Sequence, residues 1–135
     1  GDCGIQALVF ITMCRIAGVP ARWQAGLYAN PRDIGCHDWA QFYIEPYGWL
    51  YADCSFGGGA YRDDVKERRE FYFGNLDPFR IPMNSEFGWE FTPPMKRPGS
   101  DPYDNQTGEA EYGDRALIRD ELDTAHEIIE IREIE

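Results

Sequence analysis

The fold is decided by two stretches, GDCGIQALVFITMCRIAGVPAR over residues 1–22 and HDWAQFYIEPYGWLYADC over residues 37–54. The first has the pattern of a helix over residues 2–18, with Asp2 as its N-cap and Pro20 preventing its continuation. Apolar side chains cover most of the helix circumference, which is typical of a buried helix. We therefore expect a central helix packed into the core.

The second stretch has the pattern of a β-hairpin. Polar and apolar residues alternate over 37–44, residues 45–48 have a turn signal, and residues 49–54 are predicted to form the second strand. Residues 21–29 before it are predicted to be extended, and residues 30–36 to form a loop. These elements predict an α+β fold in which the first helix packs on an antiparallel sheet.

The remaining sequence has weaker signals. The glycine run at residues 57–59 is expected to break the chain, and residues 62–71 have the charge pattern of a short helix. Residues 73–91 indicate irregular structure with room for one further strand. The segment 92–113, rich in Pro, Gly, Asp and Asn, is predicted to be a long surface loop, and residues 126–134 fit either a strand or a short helix.

Composition narrows the classes of partner. A chain of 135 residues suits one domain, residues 1–135, and its net charge of −11 argues against nucleic acid, which is bound through clustered Lys and Arg. No apolar run reaches the roughly 20 residues of a membrane-spanning helix. Because the chain starts without Met and enters a helix at once, we expect a missing region upstream. Localisation is unknown from these residues.

The four cysteines do not suggest a disulfide-built or metal-built scaffold. None of their spacings is Cys-x-x-Cys, and four are too few for a disulfide framework in a chain of this length. Cys3, Cys36, His37 and Cys54 offer ligand types that zinc prefers. Neighbouring residues on a strand diverge, however, so Cys36 and His37 are not expected to share a metal. We expect neither metal nor cofactor.

Cys3, His37 and Asp53 have the residue types of a thiol-dependent catalytic triad. Such an enzyme needs an ionised sulfur, a base for its proton and a group that orients the base. The first turn of a helix is predicted to lower the pKa of the Cys3 thiol, and the Cys3 N–H is a candidate oxyanion donor. A hairpin would bring His37, at the start of one strand, to Asp53, at the end of the other.

The hairpin register has a testable corollary. If His37 pairs with Asp53, then Cys36 pairs with Cys54 on the other face of the sheet, as two thiols or as a disulfide. A tight turn at Tyr47–Gly48 would separate these pairs, so a wider loop or a bulge is required. The sequence does not decide whether the two cysteines form a disulfide.

Aromatic side chains are predicted to surround the triad. Trp39 and Trp49 have the parity to share the sheet face of His37 and Asp53, and with Tyr51 they are our candidate substrate-binding residues. Asp38 is the competitor of Asp53 for the orienting role. As the neighbour of His37 on a strand, it is expected to point to the opposite face.

Four blocks carry a family resemblance: GDCG at 1–4, CRIAGVPAR at 14–22, HDWA at 37–40 and GWLYAD at 48–53. In this order and spacing they resemble the core signature of transglutaminase-like proteins, over about residues 1–57. The resemblance implies a papain-like α+β fold and a Cys-His-Asp triad at Cys3, His37 and Asp53. Helices that usually precede the nucleophile in this family, and commonly supply an oxyanion donor, have no counterpart here.

The resemblance implies a mechanism more closely than a substrate. We expect a cysteine peptidase or amidase acting on a peptide or protein, because nothing in the sequence suggests the calcium sites or accessory domains of regulated cross-linking. Two alternatives remain: a protein-glutamine amine transferase, and a catalytically silent transglutaminase-like binding module. A secreted or cell-surface location fits the family only loosely.

Overall fold

The computed structural model describes residues 2–97, 106 and 109–133. Its larger elements are one helix, three strands and two helices, in chain order α1 (Cys3–Ile16), β1 (Ala21–Asn30), β2 (Asp33–Ile44), β3 (Gly48–Ala52), α2 (Cys54–Arg62) and α3 (Lys66–Phe71). Four short strands follow, β4 (Phe73–Gly74), β5 (Arg80–Asn84), β6 (Glu111–Tyr112) and β7 (Arg115–Ala116), and a 3-10 turn at Arg119–Glu121. The predicted α+β class with an antiparallel sheet and an N-terminal helix is confirmed.

Helix α1 begins and ends as its sequence predicts. The Asp2 side chain accepts a hydrogen bond from the Ile5 N–H at 2.9 Å, which satisfies one of the unpaired amides of the first turn. Gly18 follows the helix with φ of +78°, a conformation that favours glycine, and its N–H bonds to the Arg15 carbonyl. The helix therefore stops just before Pro20, and Cys3 lies in its first turn.

The main sheet has five strands in the order β4-β3-β2-β1-β5, with every neighbouring pair antiparallel. Helix α1 packs on one face of it. Ala7 and Ile11 of the helix join Trp23, Ala40 and Phe42 of the sheet in one buried cluster. Because side chains alternate along a strand, the odd-numbered residues of β2, His37 and those in step with it, lie on the opposite face.

The prediction that α1 is buried all round is wrong. Ile5, Val9, Met13 and Ile16 are more than half exposed, and only Ala7 and Ile11 of this helix are fully buried. The helix packs on one side of the sheet alone, so the rest of its circumference faces outward in the part of the chain described.

Three further local predictions need correction. Residues 30–36 do not form a loop, because β1 and β2 pair along their whole length and leave only Pro31 and Arg32 as the turn. The strand predicted for 49–54 ends at Ala52, and the glycine run lies inside α2 instead of breaking the chain. Hydrogen bonds from the first turn of α2 to Asp53 support a helix there despite its three glycines.

The predicted helix at 62–71 corresponds to α3, at Lys66–Phe71, which forms an exposed ion pair between Lys66 and Glu70. Residues 73–91 contribute two strands, β4 and β5, to the sheet. Of the predicted surface loop 92–113, the described residues include strand β6, and Tyr103, its expected anchor, lies outside them.

Within the described part of the tail, residues 122–133 contain neither a helix nor a strand. The two alternatives that the sequence left for 126–134 are therefore not found there. Among the described residues, no helix combines the length and apolarity required to cross a membrane.

Candidate active site

The structure places Cys3 against Asp38. The Cys3 thiol donates a hydrogen bond to Asp38 Oδ2, with 3.3 Å between sulfur and oxygen. The other carboxylate oxygen of Asp38 accepts a hydrogen bond from the Gln106 side-chain amide. Asp38 and Gln106 are both buried. In this arrangement the candidate nucleophile is a protonated thiol held by a carboxylate.

The surroundings of Cys3 oppose ionisation. Burial and the negative charge of Asp38 raise the pKa of the Cys3 thiol to about 11, although the backbone amides of Asp38 and Gly4 act in the opposite direction. The expectation that the helix N-terminus lowers this pKa is therefore wrong for the structure as it stands. Burial likewise raises the pKa of Cys54 to about 11, so thiol acidity does not distinguish Cys3.

His37 and Asp53 form the buried pair that the sequence predicts. His37 Nε2 lies 2.8 Å from Asp53 Oδ2, and the two residues are 6 % and 1 % exposed. The rings of Phe56 and Trp39 flank the imidazole, with centroids 4.8 Å and 6.4 Å away. Since Nε2 is engaged with the carboxylate, Nδ1 is the nitrogen left for a second partner.

Asp53 is fixed by both of its oxygens. Oδ1 accepts backbone hydrogen bonds from Ser55 at 3.0 Å and Phe56 at 2.9 Å, as the N-cap of α2. Oδ2 accepts from His37 and also lies 2.9 Å from Nη2 of Arg80, on strand β5. A carboxylate with this many hydrogen-bond donors is held in one orientation.

Cys3 is not brought to His37. Ala40 and Phe42 pack toward α1, and Asp38 shares their side of β2, so the thiol and its carboxylate partner lie on the helix face. His37 lies on the opposite face. The structure thus joins His37 to Asp53 and Cys3 to Asp38. His37 and Asp38, the two candidate acceptors for the Cys3 thiol proton, are consecutive residues of β2.

The predicted aromatic residues occupy different positions. Trp39 is fully buried, stacks on His37 and donates from Nε1 to Gln24 at 2.7 Å. Trp49 shares the predicted face but is 39 % exposed, and the Arg22 guanidinium lies 4.1 Å from the centre of its ring. Tyr51 is half-buried opposite Gln41. Trp39 is therefore a support beneath the imidazole.

The corollary of the hairpin register is wrong. Strand β2 pairs with β3 so that Ala40 faces Ala52, and the pairing ends before Asp53. Cys36 pairs with Leu27 of β1, while Cys54 begins α2. None of the four cysteines, all of which lie in the described residues, forms a disulfide. A three-residue loop joins the strands, so the register falls between the two considered.

Two clefts flank these groups. One of about 170 Å³ lies beside the N-terminus of α1 and is lined by Gly4, Trp23, Asp38 and Phe87 among others. A larger apolar one of about 350 Å³ is lined by Phe10, Asp53, Cys54, Tyr72, Phe73 and their neighbours. Within the described residues, no cluster of three or more His, Cys, Asp or Glu is arranged to hold a metal ion.

Sequence reasoning missed three residues near the candidate site. Gln106 lies in a segment predicted to be surface loop but is buried on Asp38. Asp38 was correctly expected to face away from His37, although its contact with Cys3 was not foreseen. Arg80 gave one usable signal, a lone cation in an apolar strand three residues after Asp77.

Comparison with known families bears on the first part of the chain. Residues 1–54 match the family model of the transglutaminase-like superfamily. The match confirms the family predicted from the four motif blocks, and at the level of the family it supports a cysteine-dependent enzyme. It covers 54 of the 135 residues and includes Cys3, His37 and Asp53.

Searches of curated proteins and of solved structures return no significant match. The transglutaminase-like match ends at residue 54, so a transglutaminase-like domain extending over 1–135 stays a prediction.

Proposed function

We propose that this transglutaminase-like chain is a thiol-dependent acyl-transfer enzyme that hydrolyses a peptide or carboxamide bond, with a papain-like arrangement of Cys3, His37 and Asp53. The observation that carries the proposal is the 2.8 Å contact between His37 Nε2 and Asp53 Oδ2 in a buried setting. A carboxylate on one ring nitrogen fixes the tautomer and stabilises the imidazolium that forms during acyl transfer.

In the proposed reaction, His37 Nδ1 takes the proton of the Cys3 thiol, and the sulfur attacks the substrate carbonyl. The Cys3 N–H stabilises the oxyanion of the tetrahedral intermediate. The imidazolium then gives its proton to the departing amine as the C–N bond breaks. Water, deprotonated by His37, cleaves the resulting thioester and releases the acid and the free thiol.

This reaction requires Cys3 to exchange its hydrogen bond to Asp38 for one to His37. The two acceptors are consecutive on β2 and face opposite sides, so a local rotation of this strand is needed. The pairing of β2 with β1 is continuous at this point, with His37 opposite Gly26 and Asp38 opposite Ala25, so the rotation has to break these pairs. The irregularity in the sheet lies on the other side of β1, where residues 82–84 of β5 face Ala25 and Gly26.

The test is the pH dependence of alkylation at Cys3, followed by peptide mapping. A thiol held by Asp38 is almost entirely protonated at pH 6, so only a His37-paired thiolate gives rapid reaction there. We expect rapid labelling of Cys3 at pH 6 in the wild type and strong slowing in His37→Ala. Slow labelling at pH 6 that is the same in both proteins would contradict the proposal.

That contrary result would support a second candidate, a catalytically silent binding module of the same family. The specific observation in its favour is the contact of Cys3 with Asp38 in place of His37. The cross-linking alternative concerns only the acceptor of the acyl group. Product analysis with and without a primary amine decides between hydrolysis and amine transfer.

A further inference from the structure

Arg80 is the buried cation nearest to the candidate triad. It lies on β5, outside the residues that match the family, and its side chain is 3 % exposed. Nη2 is 2.9 Å from Asp53 Oδ2 and 3.0 Å from Asp77 Oδ2, while Nε donates to the same Asp77 oxygen at 3.1 Å. One guanidinium thus links the proposed orienting carboxylate to a second carboxylate.

Two aromatic rings lie close to this guanidinium. Its central carbon lies 4.4 Å from the centre of the Phe56 ring and 4.8 Å from that of Tyr28. Tyr72 donates its hydroxyl to Asp77 at 2.9 Å and so holds the second carboxylate in place. A lysine ammonium would not reproduce this combination of ring contacts and contacts to two carboxylates.

Stability alone is a poor explanation for this cluster. Burying charged groups costs free energy that their mutual attraction often fails to exceed. Arg80 Nη1 is also buried without a hydrogen-bond partner among the described residues, an additional cost. The feature that distinguishes Arg80 from an ordinary surface ion pair is its contact with the oxygen that also binds His37.

Four charged groups bear on the imidazole. Asp53 contacts it, Arg80 and Asp77 lie behind Asp53, and Asp38 is its neighbour on β2 and interacts with it electrostatically. Without the guanidinium, Asp53 would hold a proton on His37 at higher pH, and a protonated imidazole cannot act as a base. Without Asp77, the guanidinium would offset Asp53 more fully.

We propose that Arg80 is a positioning residue of the site: it clamps Asp53 and partly offsets its charge, so that His37 is able to accept the Cys3 proton. This inference rests on the proposed function. Asp77 also binds Arg80, so less of the positive charge of Arg80 is left to offset the charge of Asp53. The predicted effects on the pH profile therefore have opposite signs at the two residues.

The experiment is the pH–rate profile for acylation of Cys3 by 4-nitrophenyl acetate, between about pH 5 and 9, where protonation of the base produces an acid limb. The guanidinium and imidazole nitrogens are within about 6 Å of each other, because both contact Asp53 Oδ2. For Arg80→Met we expect the acid limb to move up by roughly one to two pH units. For Asp77→Asn we expect a shift of roughly one unit down.

Arg80→Lys keeps the charge, so its acid limb should stay near that of the wild type even if its maximal rate falls. Arg68→Gln is the matched control, since Arg68 forms an exposed ion pair with Asp63 and should leave the profile unchanged. Circular dichroism melting establishes that each variant is folded. If Arg80→Met does not fold, the proposal is tested by the downward shift of the acid limb that we expect for Asp77→Asn.

The proposed role of Arg80 would be overturned if the acid limb of Asp77→Asn lay at the same pH as in the wild type, and that of Arg80→Met did so too where this variant folds. Failure of the proposed function is distinguishable, because it would appear as acylation that survives Cys3→Ala, or as an acid limb that survives His37→Ala. A purely structural role would lower the rates of both variants without moving their limbs in opposite directions.

Discussion

Replacing Asp38 by Asn removes the charge beside the candidate nucleophile while keeping an oxygen that can accept a hydrogen bond. Burial is the larger cause of the raised pKa of Cys3, and the Asp38 charge is the next. The measurement is made in the His37→Ala background, so that only the Asp38-held thiol contributes. In that background we expect the pKa of Cys3 to fall.

The structure sets the size of this fall. The pKa of Cys3 rises from an ordinary 9.0 to about 11, with burial as the largest cause and the charge of Asp38 as the next. Two unit charges at 3.3 Å interact by about 1.3 kcal/mol with water-like screening, which is about one unit. Because Asp38 is buried, water-like screening gives the lower limit of this interaction.

A fall to about 10 has a measurable kinetic result. At pH 8 the thiolate fraction would rise about tenfold, while the intrinsic nucleophilicity of the less basic sulfur would fall about threefold. The net expectation is roughly threefold faster reaction of Cys3 with an aromatic disulfide. The mixed disulfide, formed as the aromatic thiol leaves, is mapped by mass spectrometry, which separates Cys3 from the other three thiols.

Asp33→Asn, which removes an exposed acid from the same strand, is the matched control and should change nothing. A titration midpoint for Cys3 that is unchanged or higher after Asp38→Asn would refute the reasoning. It would mean that the carboxylate does not contact the thiol in solution.

Three other predictions concern the fold. Gly26→Ala should destabilise the protein by more than about 3 kcal/mol in denaturant unfolding, since its Cβ would lie 2.0 Å from the Ile81 carbonyl oxygen. Gly35→Ala is the control: its Cβ would enter open space, so it should cost under about 1 kcal/mol. Trp39→Phe should cost about 1–3 kcal/mol and lower the melting temperature, because it leaves Gln24 with a buried unpaired oxygen. Thiol titration of the unreduced, denatured chain should find four reactive cysteines; a count of two would contradict the structure.

Local signals in the sequence predicted the parts of the fold that depend on them. Asp2 and Pro20 gave the ends of α1, and alternation gave β2. The glycine run in α2 was misjudged because the hydrogen bonds that start this helix come from Asp53, whose capping role depends on where β3 ends. Residues 30–36 were misjudged because Pro31 marks a tight turn as readily as a long loop.

The contacts of the candidate site likewise fall into those set by local sequence, which were predicted, and those set by tertiary structure, which were not. The contact of His37 with Asp53 follows from a hairpin, which is local, and was predicted even though the exact register was not. The contacts of Cys3 depend on which face of the sheet α1 covers. Those of Arg80 depend on β5 pairing with β1 across more than fifty residues of chain. No periodicity within one segment carries that information.

The most direct test of the central claim is to trap the acyl-enzyme. The chain is mixed with an activated acyl ester, quenched in acid and digested, and the acylated peptide is identified by mass spectrometry. We predict one thioester, on Cys3, which is lost in Cys3→Ala and accumulates far more slowly in His37→Ala. Acylation of Cys14, Cys36 or Cys54 at an equal rate, or no dependence on His37, would contradict the account.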